Sequence, residues 1–243
     1  MIIKPLPILF SSGSMEFYIY PVLLKEESEL TLIDCGYPNE LYKLEEAFAS
    51  IGEDMSNLKN VLITHHDHDH MGGLKELVTK YPKVKVYASE AQVPYLKGQK
   101  KSLRLEQLER IHAPKDFLDM VRSVEYIEEV TPISDHQMLP IGEGVTVLQT
   151  DGHMPGHLSF YVGENHTLIT GDALVCEDGE LKIADPAFVL DGEQEIESLK
   201  KLLHYQIDTM VCYHGGVYQS ENLSEEIARV AEMGYSVEKS ACS

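Results

Sequence analysis

Six consecutive residues, His65-His66-Asp67-His68-Asp69-His70, are all imidazoles or carboxylates, and no other stretch restricts the chain's fold and chemistry as much. An apolar run, Val61-Leu62-Ile63, precedes them and reads as a buried strand. Gly72-Gly73 and a helix-like segment at residues 74–80 follow. In an extended segment alternate side chains point the same way, so His65, Asp67 and Asp69 share one side. His70, at the entry to the helix, can turn back toward the same point. Four nitrogen and oxygen donors gathered by one strand-to-helix turn suit a hard-to-borderline divalent metal ion.

The remaining pattern alternates strands with helices. Strands are expected at residues 8–11, 17–24, 30–33, 61–63 and 84–87, with a turn at 11–14 and helices at 41–51 and 74–80. Residues from about 91 to 127 are the least regular. Leu103, Leu105, Leu108 and Ile111 lie near helical spacing there, and residues 117–124 also read as helix. Strands resume at 145–149, 159–162, 167–170 and 209–213, with helices at 193–203 and 224–233 before a polar tail. This order suggests two β-rich halves flanked by helices, hence one domain over residues 1–243 with a helical insert at about 91–127. The insert carries apolar residues (Tyr95, Leu96, Leu103, Leu105, Phe117) that suit either a cover over the metal cleft or the contact face of a homodimer.

Charge and cysteine usage narrow the functional classes. With 20 Lys and Arg against 40 Asp and Glu, the net charge is −20, and the only basic cluster is Lys97 to Lys101, so a nucleic-acid partner is not expected. Cys35, Cys176, Cys212 and Cys242 are widely spaced and form no CxxC pair, so no disulfide framework is implied. The N-terminal apolar run is short and broken by Pro5 and Pro7, a poor signal peptide, and no later stretch is long enough to span a membrane. A cytoplasmic protein without membrane partners is the expectation.

Three further strand ends carry a metal-competent residue beside glycine: Gly152-His153 through Gly156-His157, Gly171-Asp172, and His214-Gly215. Singly, each has an ordinary structural explanation, as a hydrogen-bonded histidine or a turn aspartate. Their shared position just after an apolar strand points to loops gathered at one end of the sheets.

Together these motifs resemble the metallo-β-lactamase superfamily over nearly the whole chain. The family pattern THxHxDHxGG is met by Thr64, His65, Asp69, His70, Gly72 and Gly73, followed in order by His153, Asp172 and His214. The resemblance implies an α+β fold, an αββα sandwich with two metal ions at the rim between its sheets. It assigns His65, Asp67, His153 and Asp172 to one ion, and Asp69, His70, Asp172 and His214 to the other, with Asp172 bridging. Asp34 and His157 are implied to lie behind the ligands and orient them. One position departs from the pattern: Asp67 stands where the family has histidine, while alternation points His66 and His68 away. A carboxylate there favours harder ions, so zinc is expected, with iron or manganese open, and Asp67→His is expected to tighten zinc binding.

Such a pair of ions implies hydrolysis by a metal-bound hydroxide, with Asp69 orienting the nucleophile and no serine or cysteine attacking. Cys176 and Cys212 read as small buried core residues. Acyl-homoserine lactonases have a tyrosine three residues after the bridging aspartate, where this chain has Val175. Glyoxalase II-like thioesterases hold glutathione with basic residues, whereas the segment after His214 is acidic (Glu221, Glu225, Glu226). A small ester, lactone or thioester is the expected substrate. The alternatives are a di-iron redox protein, as in flavodiiron proteins, and a catalytically silent metal-binding module. The first would need a flavin domain, and no flavodoxin-like segment follows His214.

Overall fold

Alternation along the strands sets the layers. In Val22–Glu26, Val22 and Leu24 face one way and Leu23 the other; in Leu158–Val162, Leu158, Phe160 and Val162 oppose Tyr161. Both sets are buried, so each sheet must be covered on both faces. The structure, a computed structural model describing residues 1–12 and 15–234, meets that requirement with two six-stranded sheets packed face to face. The turn expected at 11–14 lies partly outside the described residues, and the polar tail with Cys242 wholly outside them.

The first sheet runs in the order Ile2–Pro5, Val22–Glu26, Glu29–Ile33, Leu58–Leu62, Lys85–Ser89, Thr131–Ile133. The second runs Gly216–Tyr218, Thr209–Cys212, Thr167–Gly171, Leu158–Val162, Val145–Gln149, Met138–Leu139. Val22, Leu24, Ile33 and Leu62 meet Val145, Val147, Phe160 and Ile169 between them. Outside the first sheet lie helices Leu41–Ser50 and Leu74–Lys80, whose Leu41, Leu44, Phe48 and Leu77 pack on Leu23, Leu30 and Val61. Outside the second lie Gly192–Leu202 and Leu223–Met233, packed through Leu199, Leu202, Ile227 and Val230 on Leu168 and Met210. The architecture is an αββα sandwich. Each fully buried leucine or phenylalanine in these layers contributes about 1.5–3 kcal/mol.

The strand expected over residues 17–24 is two strands, Met15–Ile19 and Val22–Glu26, because Pro21 between them has no N–H for a ladder. Other expected elements are found with ends shifted by one to three residues; edge strands such as Ile2–Pro5 and Thr131–Ile133 were not foreseen.

Pairing directions place the polar loops at one rim. Leu58–Leu62 runs parallel to Glu29–Ile33, so Asp34 and residues 63–70 leave the first sheet at the same end. Thr167–Gly171 runs parallel to Thr209–Cys212, which brings Asp172 beside His214. The turn at residues 150–157 joins Val145–Gln149 to its antiparallel neighbour Leu158–Val162 at that same rim. The Leu158 N–H donates to the Thr64 carbonyl at 3.0 Å, tying the two sheets together there. Gly72 and Gly73 let residues 35–38 close on the loop: a Cβ at Gly72 would stand 2.4 Å from Pro38, and one at Gly73 2.5 Å from the Cys35 oxygen. Between Lys85–Ser89 and Thr131–Ile133 the chain forms helices Val93–Leu96, Leu103–Arg110 and Lys115–Arg122, which lie over this rim.

Candidate metal centre

Seven side chains from four loops converge. The inward Nε2 of His65 lies 3.4 Å from Asp67 Oδ2 and 4.0 Å from Asp172 Oδ2. His153 Nε2 lies 3.3 Å from Asp67 Oδ2 and 3.5 Å from Asp172 Oδ2. On the other side, His70 Nε2 is 3.2 Å from Asp172 Oδ1 and 3.6 Å from Asp69 Oδ2. His214 Nε2 is 3.3 Å from Asp69 Oδ2 and 3.6 Å from Asp172 Oδ2. Four donors held about 2.0–2.2 Å from a tetrahedral centre stand roughly 3.3–3.6 Å apart; the donor distances in both groups lie close to that spacing, the longest of them 4.0 Å from His65 to Asp172. His65 Nε2, His70 Nε2 and Asp172 Oδ1 are buried without a hydrogen-bond partner among the described residues, which a bound ion would relieve. The donor set fits divalent metal ions.

Hydrogen bonds behind the cage set the tautomers. Asp34, fully buried, accepts from the Thr64 N–H at 2.9 Å and from the Thr64 hydroxyl at 2.8 Å. Because that hydroxyl spends its one proton on Asp34, it must accept from His65 Nδ1–H at 3.0 Å, leaving the Nε2 lone pair inward. His70 Nδ1–H donates to Asp34 at 2.8 Å with the same result. His157 is not turned to the centre: its Nε2 accepts the Asp172 backbone N–H at 3.0 Å and its Nδ1 bonds the Thr150 hydroxyl.

The electrostatics follow from burial and the carboxylates. Burial, then the charge of His70, pushes His65 down to about 3, so it is a neutral donor. Burial works against protonating His214 as well, but Asp172 and Asp69 outweigh it and push its pKa up to about 10. Burial opposes ionisation of Asp172, yet His70 and His214 hold it well below the usual carboxylate range.

The loop's other residues face the insert. His66 uses both nitrogens there: Nδ1 donates to Gln92 Oε1 at 2.6 Å, and Nε2 accepts the Leu103 N–H at 3.2 Å, with the ring stacked on Tyr95. His68 lies edge-on to Tyr37 and against Phe117. Asp67 faces both ways, because Arg104 from helix Leu103–Arg110 donates to its Oδ2 at 2.6 Å through Nη2. Arg104 was not among the residues singled out in the sequence. The one signal was indirect, an unexpected negative charge at Asp67 that calls for a cation nearby. Cys212 is buried as expected, whereas Cys176 is only half-buried.

Helix Gly192–Leu202 adds a buried carboxyl, Glu195, packed against Gly152. Burial, with some help from Asp172, pushes Glu195 up to about 8. A raised folded-state pKa means that the stabilising protonated form is complete below the ordinary value of 4.5 and is lost as pH rises through about 8. Glu195→Gln should therefore leave the stability of the ion-free chain unchanged near pH 4.5 and raise it by on the order of a few kcal/mol at pH 9. Urea unfolding of both chains across that range measures the difference; parallel curves would contradict the assignment.

Among the described residues no helix is long and apolar enough to cross a membrane. Known proteins are similar to this chain in sequence and in fold. The chain is 31% identical over 216 residues to the uncharacterized protein YobT of Bacillus subtilis, covering 83% of this chain and 86% of that one. It is 26% identical over 224 residues to the probable metallo-hydrolase YflN of the same organism, covering 86% and 84%. A hydroxyacylglutathione hydrolase of Vibrio cholerae is 31% identical over 188 residues; the match covers 76% of this chain and 58% of that enzyme. A metallo-beta-lactamase family protein from Thermus thermophilus superposes with a TM-score of 0.71 at 22% identity, over 95% of this chain and 77% of that one. The archaeal superfamily protein from Sulfolobus tokodaii gives 0.70 at 20% identity, over 99% and 88%. The sequence model of the metallo-beta-lactamase superfamily matches residues 16–214, and the chain belongs to that superfamily.

Proposed function

We propose that this metal-dependent hydrolase holds two divalent ions, zinc first among them, and cleaves a small ester, lactone or thioester with water. The observation that carries the reading is the position of Asp172, whose Oδ1 faces His70 and whose Oδ2 faces His153 and His214, between two cages of donors. His65, Asp67, His153 and Asp172 would hold one ion, and Asp69, His70, Asp172 and His214 the other. Ions so placed supply a water of lowered pKa, down from about 15.7, and a Lewis acid for the carbonyl.

The chain's own groups supply orientation. Burial opposes ionisation of Asp69, yet His70, His214 and His68 keep its carboxyl ionised, so it accepts a proton rather than donating one. Its backbone carbonyl is fixed by the Tyr213 hydroxyl at 2.5 Å. Of the seven donors His214 is the most exposed, at 31%, so the approach for substrate lies on its side. Beside Asp69, at 3.6 Å, lies His68 with Tyr37 and Phe117 against its ring, a lining that suits a small acyl group over a polyanion. The names of relatives that act on hydroxyacylglutathione support the thioester class, without bringing the glutathione moiety with them. Val175 lies in the short strand Val175–Glu177, and a tyrosine of the lactonase kind is not at that position.

A panel of aryl esters, lactones and acyl thioesters, offered to zinc- or manganese-loaded protein without reductant, tests the reading. Turnover of at least one class is expected. No turnover across the panel, with reductant-dependent oxygen consumption by iron-loaded protein, would replace hydrolysis by redox chemistry.

A further inference from the structure

Arg104 is 1% exposed, and each of its nitrogens has a partner. Nη2 contacts Asp67 Oδ2 at 2.6 Å and His153 Nε2 at 3.1 Å; Nε contacts Asp67 Oδ2 at 3.0 Å and Oδ1 at 3.2 Å. Nη1 donates to Gln107 Oε1 at 2.5 Å, and the guanidinium lies over the Phe188 ring. At 1% exposure the group is closed to a substrate and does not anchor one. Among the described residues its one charged partner in direct contact is Asp67, the residue that stands where the superfamily pattern has histidine.

The charges add up simply. Two histidines (His65, His153), which hold an ion only as neutral imidazoles, and two carboxylates (Asp67, Asp172) would give the loaded cage a ligand charge of −2, and Arg104 returns it to −1. Three histidines and one aspartate would also give −1. A buried arginine and a buried carboxylate are each costly alone and tolerable only as a hydrogen-bonded pair.

We infer that Asp67 and Arg104 together replace one neutral histidine, Arg104 pairing with Asp67 to cancel the charge that the carboxylate brings to the first ion position. The inference rests on the two-ion reading above, and it reverses what the loop sequence alone implies for Asp67→His. With Arg104 in place, a histidine at 67 leaves an unpaired buried cation beside the ion and repels it. Removing both charges restores an ordinary three-histidine set.

Four chains test this: wild type, Asp67→His, Arg104→Met and the double variant. Each is loaded with zinc, dialysed, counted for metal and titrated against a chelator, with circular dichroism to check the fold. Wild type should hold two ions, and Arg104→Met should keep two with the first held about tenfold or more tighter. Asp67→His should hold one, its first position weakened about 100-fold or more. The double variant should return to two ions within about tenfold of wild-type affinity. Asp67→His keeping both ions at wild-type affinity overturns the inference alone, as does a double variant that unfolds or binds no better than Asp67→His. A wild-type chain with fewer than two ions overturns the two-ion reading and this inference together.

Discussion

Asp172→Ala should lose both ions and reduce hydrolysis by well over the roughly 10²–10³-fold that follows removal of a single electrostatic contact in an active site. Asp172 is the one residue whose two oxygens face both cages, with Oδ1 3.2 Å from His70 Nε2 and Oδ2 3.5 Å from His153 Nε2. Its removal also lowers the pKa of His70 and His214 and so favours their neutral, ion-holding form, which means that the loss comes from the missing carboxylate oxygens and not from protonated histidines. Asp172→Asn keeps the shape and the backbone bond to His157 but not the charge. It should retain at most one ion. Metal counting after dialysis reads both variants, and an alanine variant that keeps a full complement would show that the cages do not share this residue.

Asp34→Ala should be nearly as damaging, through the fold as well as the site. Asp34 ties the first sheet's rim together by accepting three bonds, from the Thr64 N–H, the Thr64 hydroxyl and His70 Nδ1–H. It also sits at φ +60°, which aspartate and asparagine tolerate and alanine does not. Breaking a buried pair of this kind costs about 3–5 kcal/mol. Without Asp34 the tautomers of His70 and, through Thr64, of His65 are no longer fixed, and zinc affinity should fall about 10–100-fold. Asp34→Asn accepts the backbone geometry, so most of its loss should appear in affinity rather than in the unfolding midpoint. Denaturant unfolding of the ion-free chains and chelator competition of the loaded ones separate the two effects. Wild-type values in both for Asp34→Ala would remove Asp34 from the design of the site.

Much of this centre could be read from the chain because its donors follow apolar strands directly: Leu58–Leu62 delivers residues 65–70, and Thr167–Gly171 delivers Asp172. Local alternation points His66 away from His65, and His66 spends both nitrogens on Gln92 and Leu103. What local pattern could not show was pairing over distance. Arg104 lies 37 residues from Asp67 and sits among Leu103, Leu105 and Leu108, where a charged residue reads as a solvated helix face. The structure turns that position inward, because the insert folds back over the loop. Edge strands escaped for a different reason. Ile2–Pro5 and Thr131–Ile133 are short, contain proline and alternate weakly, so their existence depends on a neighbouring strand that offers free backbone groups.

The most direct test of the whole account is ion back-titration of hydrolysis. Wild-type protein is stripped with chelator, checked for retained fold, and given zinc in steps while turnover of an activated ester or thioester and bound metal are followed together, without reductant. The stripped chain should show no turnover, and turnover should return with bound zinc and level off near two ions per chain. Full turnover by the stripped chain would contradict the account, as would a chain that fills with zinc and hydrolyses nothing.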